Sequence, residues 1–217
     1  MSSFPDSPRL LRGGIVLVDA ITSAVQRVIA LQYNPDTLTR SLQIKGVGPE
    51  TGDRSEALRL KGPPVETFKL EAEIDATDQL ELADGKAVQV GIHPQLAALE
   101  IMAYPSSTQL IANNTLAQIG TLEIAPMEAP LPLFIWSKNR IVPVRITEFS
   151  ITEEAFDTNL NPIRAKVSLG LRVLNVDDLG FNQKGGNLFI IYQQQKERLA
   201  AMSANATMST LGITGIP

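Results

Sequence analysis

No cysteine occurs anywhere in the chain, which removes disulfides, thiolate metal sites and cysteine nucleophiles together. There is a single histidine, His93, so a zinc site built from several imidazoles is out of reach, and any Ser–His–Asp triad would have to use that one residue. His93 stands directly before Pro94, where a helix begins well, and a structural role is expected for it. No apolar run approaches the length of a membrane-spanning helix, so direct membrane insertion is not expected. The opening segment Met1-Ser2-Ser3-Phe4-Pro5-Asp6 lacks the basic start and apolar stretch of a signal peptide, and a cytoplasmic origin is expected. Positive charge is not concentrated: the net charge is −4 with no Lys/Arg cluster, which argues against nonspecific nucleic-acid binding. The glycines fit neither the phosphate-loop nor the dinucleotide pattern. No cofactor, metal or catalytic residue is expected.

What is present is strand periodicity. Phe68, Leu70, Ala72 and Ile74 alternate with Lys69, Glu71, Glu73 and Asp75, as in a half-buried strand. Ala165, Val167, Leu169, Leu171 and Val173 do the same, opposite Arg164, Lys166, Ser168, Gly170 and Arg172. Shorter strands are expected at Ile15–Val18, Gln26–Tyr33, Arg40–Lys45 and Leu133–Trp136, and the first two should form a hairpin. Between Arg140 and Ile151 the apolar phase flips after Ile146, which predicts a β-bulge near Thr147-Glu148. One helix is expected from Pro94 to Ala103, where Leu96, Leu99 and Ala103 recur at helical spacing.

The remaining segments read as irregular. The glycine-rich stretch 46–62 predicts a mobile loop, and 108–132 a loop for the most part. The acids Asp75, Asp78, Glu81 and Asp84 lack the spacing of a calcium loop and predict a solvated turn. Beyond Asp177–Gly180 the pattern changes, and Gly185-Gly186 is expected to separate a short apolar run, Leu188–Tyr192, from a helix-like stretch, Gln193–Asn205. The expected division is a domain over 1–180 and an extension over 181–217 that docks on a partner, with Phe189 and Tyr192 as contacts. Trp136 is expected in the core or at its rim, with an interface as the functional alternative.

Two turn signals carry a resemblance. Tyr33-Asn34-Pro35 follows a strand, and Ile146-Thr147-Glu148-Phe149 leads to Asn161-Pro162-Ile163-Arg164-Ala165 and an alternating strand. With the order strand, loop, strand, helix, strand pair, the chain resembles the tube-type proteins of contractile injection systems, which are phage-tail-like particles. Its match is to the baseplate adaptor that joins the inner tube to the spike, without the LysM module many members carry. The resemblance implies a mainly β, α+β fold: a tail-tube-like β-barrel or sandwich with one packed side helix. It implies a hexameric ring whose partners are sibling copies, the inner tube protein, the spike or hub protein and other baseplate subunits. The implied contact residues are Tyr33, Asn34, Pro35, Asn161, Pro162 and Arg164, and Lys166 and Arg172 would face a lumen. Three other readings stand beside the adaptor: the inner-tube subunit of the same machine, a ligand- or carbohydrate-binding β module using Trp136, and a carboxylate-dependent hydrolase.

Overall fold

The structure is a computed structural model that describes residues 10–19, 22–46, 59–118, 129–181, 183–203 and 207–216. Its seven strands are β1 (Gly14–Val18), β2 (Val25–Ala30), β3 (Leu38–Gln43), β4 (Val65–Asp75), β5 (Leu131–Ser137), β6 (Arg140–Phe156) and β7 (Pro162–Val173). The helices are α1 (Thr77–Glu81), α2 (Gly85–Val90), α3 (His93–Glu100), α4 (Ser107–Gln118), α5 (Val176–Leu179) and α6 (Lys184–Ala201), followed by a short 3-10 turn at Met208–Leu211. The fold is mainly β in an α+β arrangement.

All neighbouring strands are antiparallel, in the order β2-β1-β5-β6-β7-β4-β3. The sheet folds back on itself. Phe68 of β4 and Phe134 of β5 have ring centroids 5.3 Å apart. Three strand spacings in a flat sheet would put them about 14 Å apart. The turn-over is made by β6. Its first residues pair with β5 as far as Pro143, and from Val144 to Phe156 it pairs with β7 instead. One strand thus belongs to two layers, β2-β1-β5-β6 and β6-β7-β4-β3. The register slips between Ile146 and Glu148, where the phase flip in the sequence places a bulge.

The core lies between the layers. Phe68, Phe134, Val142, Val144, Val167, Leu169 and Leu171 are at most 1% exposed. The alternation along β4 and β7 is realised: Leu70, Ala72, Ile74, Ala165 and Val173 point inward as well. To the same core α3 adds Leu96 and Leu99, with Ile92 just before it.

Several expectations need correction. The barrel is not closed, because β2 and β3, the outermost strands, share no ladder. The side helix is not single: α1 and α2 fold the acidic segment into two short helices, and Asp84 caps α2 by accepting from the N–H groups of Lys86 and Ala87. The expected loop 108–132 begins as the twelve-residue α4; residues 119–128 lie outside the described residues. β2 ends at Ala30 rather than Tyr33: the Leu31 N–H still donates to the Gly13 carbonyl, and the chain bends at Gln32-Tyr33. Of the expected loop 46–62, residues 47–58 lie outside the described residues; its ends are drawn together by the Gly46–Leu60 bridge.

Gly185-Gly186 does not break the C-terminal segment. Both glycines lie inside α6, a single helix of eighteen residues. A Cβ on Gly186 would stand 1.9 Å from the Gly180 carbonyl oxygen, so the glycine serves close packing of α6 against the turn after α5. Phe189 and Tyr192 are buried in the same core as the strands, so their side of α6 is taken up by the chain's own sheet. A partner would reach this helix by its other side, where Ile191 is exposed, or at its C-terminal end, where Leu199 and Met202 are exposed.

Candidate assembly surfaces

The Tyr33-Asn34-Pro35 turn works as a clip between the layers. The Asn34 side chain accepts from the Gly13 N–H at 2.9 Å and donates to the Leu11 carbonyl at 2.8 Å. Its neighbour Gln32 donates to the Asp75 carbonyl at 2.6 Å and accepts from the Asp75 N–H at 3.0 Å. The turn after β2 is thereby fastened to the end of β4. Tyr33 remains exposed and Pro35 half-buried.

The Asn161-Pro162 turn is fastened in the same way. Asp157 accepts from the N–H of Asn159 at 2.7 Å and from the N–H and side-chain amide of Asn161 at 2.8 Å each. Hydrogen bonds from the Asn161 side chain, then from the Asn161 and Asn159 N–H groups, hold the Asp157 carboxyl below its ordinary range. Pro162 is buried, and its carbonyl accepts from the Ile92 N–H at 2.9 Å. Gly91, at φ +57°, lies so close to that carbonyl that a Cβ would come within 2.3 Å of the oxygen. The strand hairpin is thus seated on the α2–α3 junction, and Phe156 and Leu160 at its tip face outward.

Trp136 is half-buried, with its ring 5.9 Å from that of Phe134, and packs on the core. It lines neither of two surface clefts: one of about 320 Å³ between β2, β4 and α3, and one of about 940 Å³ beside the α3–α4 connection.

The outward face of the β6-β7-β4-β3 layer is polar and carries four ion pairs. Lys69 meets Glu148 at 2.8 Å, Arg164 meets Asp75 at 3.0 Å, Lys166 meets Glu154 at 3.3 Å and Arg172 meets Asp178 at 2.8 Å. Desolvation pushes the Asp75 carboxyl up, but the Thr77 hydroxyl and N–H, with the Arg164 guanidinium, outweigh it and hold it below the ordinary range. The two cations expected at a lumen, Lys166 and Arg172, therefore lie on one face and are each paired.

One ionic cluster is buried, and no sequence pattern pointed to it. Glu66 of β4 is 2% exposed. It accepts from the Tyr192 hydroxyl at 2.8 Å and from Lys196 at 2.7 Å, and the Arg40 Nε of β3 stands 3.9 Å away. Burial pushes the Tyr192 hydroxyl up to about 12, and the bond to the Glu66 carboxylate adds to it. The cluster fixes α6 to β4 and places β3 against both. A glutamate at an inward position of an alternating strand was the one available signal.

Among the described residues no group of three or more His, Cys, Asp or Glu side chains could hold a metal ion. His93 opens α3 and is exposed. Among the described residues, no helix is long and apolar enough to cross a membrane.

The remaining backbone feature is a pair of free edges. Beyond Pro143 the strand β6 pairs with β7 alone, and β3 pairs with β4 alone. Both borders of the β6-β7-β4-β3 layer thus lack a strand partner among the described residues. Three antiparallel steps separate them, so the two edges run in opposite directions.

No protein family profile matches the chain, and no curated protein matches it. Among solved structures, the chain is similar to one in the tail of an empty gene transfer agent particle of C6 symmetry, with 15% identity, 75% of this chain and 90% of that chain covered, and a TM-score of 0.29. It is also similar to a chain in the virion of a native gene transfer agent particle, with 12% identity, 74% and 90% covered, and a TM-score of 0.27.

Proposed function

We propose that this protein is a structural ring component of a phage-tail-like contractile injection particle, and within it the adaptor between inner tube and spike hub. The observation that carries the reading is the pair of free, oppositely directed edges on the β6-β7-β4-β3 layer. A sheet with one edge running up and the other running down can continue antiparallel into the next copy. Rotation from copy to copy then closes a ring and leaves neither of these two edges exposed. The polar face of this layer, with its four ion pairs, would line the lumen, and the layer β2-β1-β5 would face outward. The hexameric order and the adaptor role rest on the sequence resemblance of the two turn motifs.

Native mass spectrometry of the purified chain tests the ring. A closed oligomer of defined order is expected, and a monomer at every concentration overturns the reading. Copy number in intact particles separates the two roles in the same machine. An adaptor contributes one or a few rings per particle, and an inner-tube subunit contributes very many.

A further inference from the structure

Resting on the ring reading, we infer that the β6 edge of one copy pairs antiparallel with the β3 edge of a second copy in one register, with Glu153 opposite Arg40. In that register Ile151 faces Leu42 and Phe149 faces Ile44 on the inward side. On the polar side Thr152 faces Ser41, Ser150 faces Gln43 and Glu148 faces Lys45. The alternation of each strand is on the page: Phe149 and Ile151 share the side of Leu169 and Val167, and Arg40 and Leu42 share the side of Phe68 and Glu66.

The side chains favour this register over its neighbours. A slip of one residue would turn the apolar set of one copy against the polar set of the other. A slip of two places Ile151 against Arg40 in one direction and Glu153 against Leu42 in the other. Leu42 stands 48% exposed in the single chain although it lies on the inward side of the strand, and Ile44 just beyond the strand is 72% exposed. Charge is complementary as well. No salt bridge holds Glu153 among the described residues. Arg40 is only 3.9 Å from a Glu66 carboxylate that Tyr192 and Lys196 already occupy more closely. An edge offering a free carboxylate therefore meets an edge offering a poorly satisfied guanidinium, with apolar pairs beside them.

The absence of cysteine makes the register directly readable. Opposite residues in an antiparallel pair have Cα atoms about 4.5–5.5 Å apart, within disulfide reach, whereas a two-residue offset moves them to about 7–8 Å. Within one chain the two edges are three strand spacings, about 14 Å, apart, so no link can form internally. Full-length Ser41→Cys/Thr152→Cys and Gln43→Cys/Ser150→Cys should each give a ladder of covalent oligomers on non-reducing gels after mild oxidation. The offset pairs Ser41→Cys/Ser150→Cys and Ser41→Cys/Glu154→Cys should give less, by on the order of tenfold. Preferential linking of an offset pair overturns the register. Oligomers that assemble but link through none of the four pairs overturn pairing by these edges. A chain that stays monomeric overturns the ring reading beneath both.

Discussion

The Lys69 ammonium lies 2.8 Å from the Glu148 carboxylate although β7 runs between their strands, and Gly170 is the β7 residue beneath the contact. A Cβ there would stand 2.9 Å from the Glu148 Cβ and 3.2 Å from the Thr147 hydroxyl oxygen. The missing side chain is therefore what lets a side chain from β4 reach the bulged segment of β6.

Gly170→Val should destabilise the fold by about 1–3 kcal/mol, through overpacking against the bulge. Lys69→Met should cost less than about 1 kcal/mol, because both partners of the ion pair are well exposed. Urea unfolding of the two variants checks the order. Equal losses would mean that the ion pair, not the space above Gly170, matters.

Glu66→Ala leaves the Tyr192 hydroxyl without its acceptor and Lys196 without its carboxylate. A loss of about 1–3 kcal/mol is expected, since a buried donor loses its partner. Hydrogen exchange should quicken across α6 before it quickens in β7.

The Tyr192 hydroxyl titrates above its unfolded value, near 12 rather than 10. The stability it contributes is fully present below about pH 10 and is lost as pH rises towards 12. Tyr192→Phe should flatten that alkaline part of the stability curve and remove a tyrosine ionisation near pH 12 seen by ultraviolet absorbance.

Asp75 behaves in the opposite sense. Its carboxyl is held low, so its contribution is present above the unfolded carboxylate value and disappears as pH falls through the lowered folded one. Asp75→Asn should lessen the acid dependence of melting between pH 5 and 2, a range set by ordinary carboxylate titration at about pH 4.

Gly91→Ala should loosen the seat of the β6–β7 hairpin. The residue has positive φ, and the new Cβ would strike the Pro162 carbonyl. A cost of more than about 1 kcal/mol is expected. Protease cutting near Leu160 should rise with it.

Much of the second layer was legible because β4 and β7 have one buried and one wet face. Period two then shows in every residue from Phe68 to Asp75 and from Arg164 to Val173. The bulge showed for the same reason, as a break in that period. α4 stayed hidden because it buries no residue, so nothing forced a helical stripe into Ser107–Gln118. α6 was divided in two because paired glycines weaken a helix locally. Here close packing against Gly180 outweighs that cost. The Tyr33-Asn34-Pro35 and Asn161-Pro162 motifs were visible, but their work as clips was not, since Gly13, Asp75 and Ile92 are distant in sequence. The open edges depend on which strands pair, and no local pattern states that.

The shared strand β6 has a mechanical corollary. Arg140–Phe156 is one unbroken backbone stitched into both layers, so shear between them loads the main chain and its ladders as well as the packed side chains. A load on one layer would pass to the other along this strand's main chain, through the change of partner between Pro143 and Val144.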